Sequence, residues 1–389
     1  MKKASRRDWL ALGGRALTSG YLAGLMACAK QERKSQAADA LPDAAFSQLE
    51  SRIASLMAEL RVPGATIAVI RDAHIIWRKA YGVRDVDAGQ PVDHNTVFSA
   101  QSMSKPVFAY RVMKLCEQGV LNLDTPLTKY TPDVFVKNDP RLQQITARRV
   151  LSHTTGLPNW RSKAEPLHIS FTPGEKFHYS GEGYHYLQSV VTRLSGHTDL
   201  ANCRAFELGY RVCATDFGPS MTRNLLQPFG MASSGYEWTE EMGKNLARAH
   251  DAQGRPMALD KATALEVGRY GSAGSLMSTA TDYAKFLVEV MDPKPADAFR
   301  LNEASRKEML TPQIELPEAP VKISWALGWQ IWHLEKGDVV AHGGDIEGYH
   351  SMSAFSPTKK AGFVMMTNGE GGYEMLSKRL FVDLMNLAV

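Results

Sequence analysis

Hydrophobic positions repeat at helical spacing in some segments of the chain and in short strand-like runs in others. Between residues 46 and 60 apolar side chains recur every three to four positions, which predicts an amphipathic helix that Pro63 ends. Two apolar runs follow, Thr66–Arg71 and Ile75–Ala80, separated by a short turn at Asp72. This spacing predicts a β-hairpin directly after the first helix.

The rest of the chain changes character twice. Residues 125–265 contain short helical patches and many loops, without convincing strand alternation. The C-terminal third then predicts a helix over Ala280–Met291, four strands and a last helix over Leu376–Leu387; the strands are Leu327–Leu334, Val339–Ala341, Tyr349–Phe355 and Gly362–Thr367. Strands at both ends with helical material between them indicate one sheet built from both termini. We therefore expect an α+β fold with a helical insertion domain.

Composition and charge exclude several classes of protein. The 389 residues are 44% hydrophobic and 22% charged, which excludes a disordered, collagenous or coiled-coil chain. The net charge of +4 comes from the first 27 residues, which carry five Lys or Arg against one Asp; the remainder has 40 basic and 40 acidic residues. A nucleic-acid partner is not expected, because such proteins carry an excess of basic residues.

The N-terminus has the pattern of an export signal. A basic segment with the pair Arg6-Arg7 precedes a weakly apolar stretch, similar to a twin-arginine signal. Residues 1–27 are therefore the expected signal and 28–44 a linker, which predicts a periplasmic or envelope-anchored protein. Cys28 ends a possible lipobox and could tether the protein to the membrane, whereas an A-x-A site offers cleavage after Ala40; both alternatives stay open.

The remaining cysteines suggest no metal site. Cys116 lies in an apolar helical stretch and is expected to be a buried free thiol. Cys203 and Cys213 are ten positions apart, and an oxidising compartment would permit a disulfide between them, without requiring it. No C-x-x-C pair occurs, so a zinc site of that type has no support.

Two S-x-x-K patterns occur, and they differ in context. Ser102 and Lys105 stand at the boundary between a loop and a helix, where a three-residue offset places both side chains on one face. A desolvated Lys can lose its proton and serve as the base for a Ser nucleophile. Ser356 and Lys359 match the same pattern, but lie in a turn between strands where no helix aligns them.

Two further segments are candidates for the same site. Tyr179, followed by Ser180-Gly181, could share a proton relay with Lys105. His342-Gly343-Gly344 is expected at the end of a strand, where the glycines would let a substrate lie against the strand edge. Each residue on its own would more often have a packing role.

Five ordered motifs together resemble one family. They are Phe98–Lys105, Leu151–Leu157, Pro173–Ser180, Ala326–Trp329 and His342–Gly344. The chain from about residue 45 onward is similar to the serine beta-lactamase-related family, which includes class C beta-lactamases, DD-peptidases, D-aminopeptidases and esterases. The resemblance implies an antiparallel sheet flanked by helices, formed by residues 45–124 and 266–389, with residues 125–265 as the helical insertion domain.

The resemblance also implies roles for individual residues. Ser102 would be the acylated nucleophile, Lys105 its proton partner, and Tyr179 a helper in acylation and deacylation. His342 and Gly344 would occupy the third motif beside the substrate, and the backbone N–H groups of Ser102 and Asp345 would form the oxyanion hole. No metal or cofactor is implied, and the Leu151–Leu157 motif, with His153, would be scaffold.

Two departures from the family pattern bear on the substrate. Gly181 stands where the family usually has an Asn that binds the acyl-side amide, and His342 stands where class C beta-lactamases have a Lys. Both changes weaken recognition of a penicillin-like amide and carboxylate.

The favoured function is therefore a serine hydrolase that cleaves small-molecule esters, or D-amino-acid amides or peptides. A beta-lactamase or DD-carboxypeptidase, and a non-turnover protein that binds or senses peptidoglycan, remain alternatives. Hydrolysis and acyl transfer are not separated by the sequence.

Overall fold

The computed structural model describes residues 44–131, 136–161, 166–195, 217–258, 267–316 and 321–387. The expected signal, the linker as far as residue 43, Cys28, Ala40 and the Cys203/Cys213 pair all lie outside these ranges. Within them, no helix has both the length and the apolar character needed to cross a membrane.

Each helix and strand predicted from the hydrophobic pattern has a counterpart in the structure, which also contains elements that the pattern does not predict. The helices are α1 Ala44–Leu60, α2 Ser104–Glu117, α3 Ala147–Leu151, α4 Gly181–Leu194, α5 Glu240–Asn245, α6 Ala280–Met291, α7 Glu303–Met309, α8 Gly372–Glu374 and α9 Phe381–Asn386, and residues 217–221 are also helical. The strands are β1 Gly64–Arg71, β2 His74–Asp85, β3 Gln90–Pro91, β4 Phe98–Ser99, β5 Met277–Ser278, β6 Ile314–Leu316, β7 Ile323–Trp325, β8 Gln330–Leu334, β9 Gly337–Ile346, β10 Tyr349–Ser356 and β11 Ala361–Thr367.

The main sheet joins the two ends of the chain. Its strand order over the described residues is β3-β2-β1-β11-β10-β9-β8-β7-β6, with antiparallel pairing throughout. Strand β1 lies between β2 and β11, with Ala65 opposite Thr367 and Ile70 opposite Gly362. The expected α+β fold, an antiparallel sheet flanked by helices, is thus confirmed. The division into a sheet domain and an insertion domain stays a prediction.

Each face of the sheet is covered by its own hydrophobic core. Along β1, Ala68 and Ile70 face the larger core, which includes α2 and α6, whereas Ile67 and Val69 face a smaller core. This alternation follows from the two-residue period of a strand. Helix α1 and the C-terminal helices form the smaller core, where Phe46 stacks on Trp77 with ring centroids 5.0 Å apart. The candidate site therefore lies on the α2 side.

Among the predictions made from the sequence, three differ from the structure for a clear physical reason. Strand β8 begins at Gln330 instead of Leu327, because Gly328 has a φ of +87° and the Ala326 N–H donates to the Trp329 carbonyl in a turn. The last helix is divided by a π-turn over Met375–Arg379, in which the Leu380 N–H donates to the Met375 carbonyl.

The third correction concerns the His342-Gly343-Gly344 motif. It does not stand at the end of a strand, because β9 continues to Ile346. Pairing with β10 persists through these residues, with Gly343 opposite Met352 and Gly344 opposite Ser351. The motif therefore belongs to the interior of the sheet.

Candidate active site

The turn that carries Ser102 is held in place by short-range bonds. Gln101 has a φ of +46° and begins a 3₁₀ turn, Gln101–Met103, that leads directly into α2. The Ser104 hydroxyl donates to the Gln101 carbonyl over 2.5 Å and accepts from the Leu276 N–H over 2.9 Å. A left-handed residue next to a candidate nucleophile is the kind of strain that the surrounding structure must impose. Ser102 is half-buried at the helix N-terminus, as the sequence predicts.

Lys105 is the buried partner of Ser102. Its side chain has no solvent exposure, and its Nζ lies 3.1 Å from Ser102 Oγ and 2.6 Å from the Ala273 carbonyl oxygen, to which it donates. Burial disfavours the ammonium and lowers the pKa of Lys105 from 10.5 to about 7. The sequence indicated the pair, but the Ala273 carbonyl, 168 positions away in the chain, could not be identified from it.

Tyr179 completes a cluster around Ser102. Its hydroxyl lies beside the Ser102 side chain, and its ring centroid lies 4.7 Å from Lys105 Nζ. Burial raises the pKa of Tyr179 above its ordinary value of 10. Since the phenol therefore keeps its proton at neutral pH, Tyr179 can pass a proton on but does not start as the base.

His153 fixes the Tyr179 ring. The two rings stack with centroids 4.2 Å apart, and His153 Nδ1 accepts a hydrogen bond from the Ser180 N–H over 3.0 Å. The His153 carbonyl also accepts from the His178 N–H over 2.7 Å. Burial lowers the pKa of His153 well below 6.5, so the ring is neutral. In the Leu151–Leu157 motif, for which a scaffold role was expected, His153 thus packs directly against Tyr179.

His342 faces the same cluster from strand β9. Its ring centroid lies 6.5 Å from that of Tyr179, and its Nδ1 donates to the Gly343 carbonyl over 2.6 Å. Burial and the nearby charge of Lys105 lower the pKa of His342 to about 3. Its Nε2 is buried without a hydrogen-bond partner. A neutral His with a free acceptor offers no positive charge to a substrate carboxylate.

Strand β9 also approaches the Ser102 turn closely at Gly344. A Cβ added there would lie 2.1 Å from the Ala100 carbonyl oxygen, so only glycine fits. The next residue, Asp345, is tied to strand β10 through its carboxylate, which accepts from His350 Nδ1 over 2.9 Å. The structure thus places the backbone of β9 beside the turn that carries Ser102.

Gly181 begins helix α4. Ser180 is the N-cap of this helix, and its hydroxyl accepts a hydrogen bond from the Gly183 N–H over 2.9 Å. A Cβ at Gly181 would lie 2.6 Å from two atoms of the Trp160 indole. Trp160 was not identified from the sequence, and the only signal for it was its place just after the Leu151–Leu157 motif.

The second S-x-x-K pattern does not form a comparable pair. Ser356 ends β10, and its hydroxyl contacts the Thr358 hydroxyl and the Lys359 N–H, while the Lys359 side chain is exposed.

Cys116 is a free, partly buried thiol whose pKa is raised to about 12 by burial. Within the described ranges, no three His, Cys, Asp or Glu residues are grouped so as to hold a metal ion.

Comparison with solved structures supports the fold. An octameric penicillin-binding protein homologue from Pyrococcus abyssi superposes with a TM-score of 0.70 at 25% identity, covering 87% of this chain and 77% of that one. A D-alanine carboxypeptidase AmpC from Burkholderia cenocepacia superposes with a TM-score of 0.68 at 18% identity, covering 87% and 99%.

Comparison of sequences identifies the family. A beta-lactamase-like protein of Homo sapiens is 26% identical over 350 residues, covering 84% of this chain and 65% of that protein. Protein flp of Staphylococcus aureus is 21% identical over 343 residues, covering 84% and 64%. The chain spans just under two thirds of the length of these relatives. The family model described as Beta-lactamase matches residues 49–384, so the chain belongs to the Beta-lactamase family of serine hydrolases.

Proposed function

We propose that this protein is a serine hydrolase that forms an acyl-enzyme on Ser102 and cleaves small esters or D-amino-acid amides or peptides. One observation carries the proposal. The Nζ of a fully buried lysine, whose pKa is lowered to about 7, lies 3.1 Å from the hydroxyl of a serine at the start of a helix. A nucleophile beside a base that is neutral near the working pH is the arrangement that acyl transfer requires.

The chemistry proceeds in two balanced steps. Neutral Lys105 accepts the Ser102 proton while Oγ attacks the substrate carbonyl, and Tyr179 relays that proton to the leaving alcohol or amine as its bond breaks. A water molecule then gives its proton to the same pair and attacks the ester on Ser102, which releases the acid and restores the hydroxyl. In both steps the backbone N–H groups of Ser102 and Asp345 are the proposed donors to the oxyanion.

The charge of the site supports neutral acyl groups over carboxylate-bearing ones. His342, with a pKa lowered to about 3, carries no charge at neutral pH. Recognition of a penicillin carboxylate or of a C-terminal carboxylate therefore lacks a fixed positive group at this position. The proposal accordingly favours esterase or amidase activity over beta-lactamase or DD-carboxypeptidase activity.

The place of action is a proposal from the N-terminal sequence. A basic leader with the Arg6-Arg7 pair supports export before the enzyme acts, and Cys28 offers a site for a lipid tether. The substrate would then be a small molecule or peptide of the cell envelope.

The test is a burst of nitrophenol from p-nitrophenyl butyrate, followed by intact mass measurement. We expect a burst and a mass gain of one butyryl group in the wild type, and Ser102→Ala should lose roughly 1,000-fold or more in turnover. Ser356→Ala is the matched control, because it removes the serine of the second S-x-x-K pattern, and it should keep the wild-type rate.

Three outcomes separate the alternatives. An unchanged rate in Ser102→Ala would refute the proposal. A mass gain without turnover would favour the non-turnover binding protein. Added alcohol that yields a new ester in place of the free acid would assign acyl transfer instead of hydrolysis.

A further inference from the structure

The indole of Trp160 occupies the space beside the second motif of the site. Its Cη2 and Cζ3 atoms both lie 2.6 Å from the position that a Cβ at Gly181 would take. Gly181 follows Tyr179 by two residues, and the Tyr179 hydroxyl contacts Ser102. A side chain at position 181 would therefore clash with the indole ring. The Trp160 ring occupies the space that such a side chain would fill.

Trp160 is held at this place by both of its neighbours in the chain. The Asn159 carbonyl accepts from the N–H groups of Gly181 and Glu182 over 3.0 and 3.1 Å. Arg161 donates through Nε and Nη2 to the carboxylate of Glu182, which is buried. Burial would raise the pKa of Glu182, but the Arg161 partner outweighs it and keeps that pKa below its ordinary value. The loop is thus clamped onto the start of helix α4 by a bidentate ion pair.

A second aromatic ring lies next to Trp160. The Tyr270 ring centroid lies 5.0 Å from that of Trp160, within the range of favourable aromatic contacts. Tyr270 also adjoins Gly274, since a Cβ there would lie 3.1 Å from Tyr270 Cβ and 3.5 Å from Gln101 Oε1. Gln101 immediately precedes Ser102 in the chain.

The exposure of Trp160 shows that the surface is open to solvent. The residue is 41% exposed although its ring also contacts His185, with centroids 5.4 Å apart. A large exposed aromatic whose loop is fixed by an ion pair to the buried Glu182 carboxylate is typical of a binding surface, because holding it in place reduces the entropy lost when a ligand binds.

We propose that Trp160 and Tyr270 bind the acyl portion of the substrate and select aryl or large apolar acyl groups. This assignment rests on the proposed acyl-enzyme at Ser102 and narrows its substrate class. The acyl group packs against the two rings by dispersion and burial of apolar area, and neither Gly181 nor neutral His342 supplies a side-chain amide or a positive charge for a polar group.

The test compares two esters with the same leaving group, p-nitrophenyl phenylacetate and p-nitrophenyl acetate. For the full-length wild type we expect the higher kcat/KM with the phenylacetate. Trp160→Ala and Tyr270→Ala should each lower kcat/KM for the phenylacetate roughly tenfold, and by less than threefold for the acetate, which is too small to reach the rings. Trp160→Phe keeps an aromatic ring and should retain most of the preference.

Trp332→Ala is the matched control, because this half-buried indole packs on Phe381 at the opposite face of the sheet. It should leave the ratio of the two kcat/KM values unchanged. An unchanged ratio in both Trp160→Ala and Tyr270→Ala, whether or not the rates with the two esters fall together, would overturn the assignment. If Trp160→Ala does not fold, Tyr270→Ala decides by the same ratio. A wild type without Ser102-dependent turnover of either ester would overturn the proposed function itself, and the assignment with it.

Discussion

At the scale of single residues, the pKa of Lys105 determines the pH dependence of the proposed reaction. Burial holds that pKa near 7, so the neutral base is the minor form below pH 7 and the major form above it. We expect kcat/KM for p-nitrophenyl butyrate to rise about tenfold per unit below pH 7 and to level off by about pH 8. The profile should be measured from pH 5 to 9, corrected for spontaneous hydrolysis. A flat profile would contradict a role for Lys105 as the base.

Replacement of His342 tests whether that residue is neutral. Because its pKa is lowered to about 3, His342→Gln removes no charge and should leave the midpoint of the pH profile in place. His342→Lys introduces a like charge near Lys105, which disfavours the Lys105 ammonium and should move the midpoint to lower pH. A midpoint that shifts in the Gln variant would show that His342 titrates in this range.

The sequence could identify the candidate reactive residues but not the contacts that hold them in place. The Ser102 and Lys105 pair follows from helix geometry, and Tyr179 and His342 follow from ordered motifs. The stacking of His153 on Tyr179 and the Lys105 bond to the Ala273 carbonyl depend on contacts between distant parts of the chain. Propensity and periodicity describe only near neighbours, so such contacts need the folded structure.

At the scale of elements, strand β9 and the turn before Ser102 act as one unit. A Cβ at Gly344 would lie 2.1 Å from the Ala100 carbonyl oxygen, so Gly344→Ala must push β9 away from the turn. We expect a loss of about 1–3 kcal/mol in the free energy of unfolding, by urea titration, and a loss of esterase rate of at least about tenfold.

Gly343→Ala is the matched control for Gly344→Ala. The added Cβ would meet its nearest atom, the Ser351 carbonyl oxygen, at 3.5 Å, which is an ordinary contact. Stability and rate should therefore stay close to the wild type. Equal effects of the two substitutions would show that the close approach at Gly344 is not what matters.

Element ends were harder to predict than element types. The hairpin, α6 and the succession of strands along the C-terminal third of the chain match the hydrophobic pattern. Strand β9 was expected over Val339–Ala341 with the His342-Gly343-Gly344 motif at its end, but pairing with β10 continues to Ile346. Glycine lowers strand propensity locally, and cross-strand pairing outweighs that preference when the neighbouring strand is already in place.

At the scale of the whole molecule, the sheet could be predicted from strands at both ends of the chain with helical material between. The order of its strands could not, because β1 pairs with β11 across almost 300 residues and nothing in the local pattern specifies that partner. The ordered motifs supplied this information indirectly, since the family resemblance implies one antiparallel sheet. The whole chain determines the fold, whereas the proposed substrate preference depends on a few side chains such as Trp160 and Tyr270.

The buried lysine also couples the stability of the whole molecule to pH. The pKa of Lys105 is about 7 in the folded protein and near 10.5 in the unfolded chain, so between these values the unfolded state binds more protons. The free energy of unfolding of the wild type therefore gains a contribution as pH rises from 7 to 10.5, on the order of 3–5 kcal/mol in total. Lys105→Met lacks this group and this contribution.

We therefore expect the difference in stability between Lys105→Met and the wild type to change with pH in one direction. Relative to the wild type, the variant should be most stable at or below pH 7, where the folded wild type holds a buried ammonium, and this relative advantage should shrink steadily toward pH 10. Urea titrations at half-unit intervals would measure it. Ser102→Ala retains Lys105 and should follow the wild-type trend. Parallel stability curves for Lys105→Met and the wild type would mean that Lys105 has a similar pKa in the folded and unfolded states, which would also remove the reason to regard it as a neutral base.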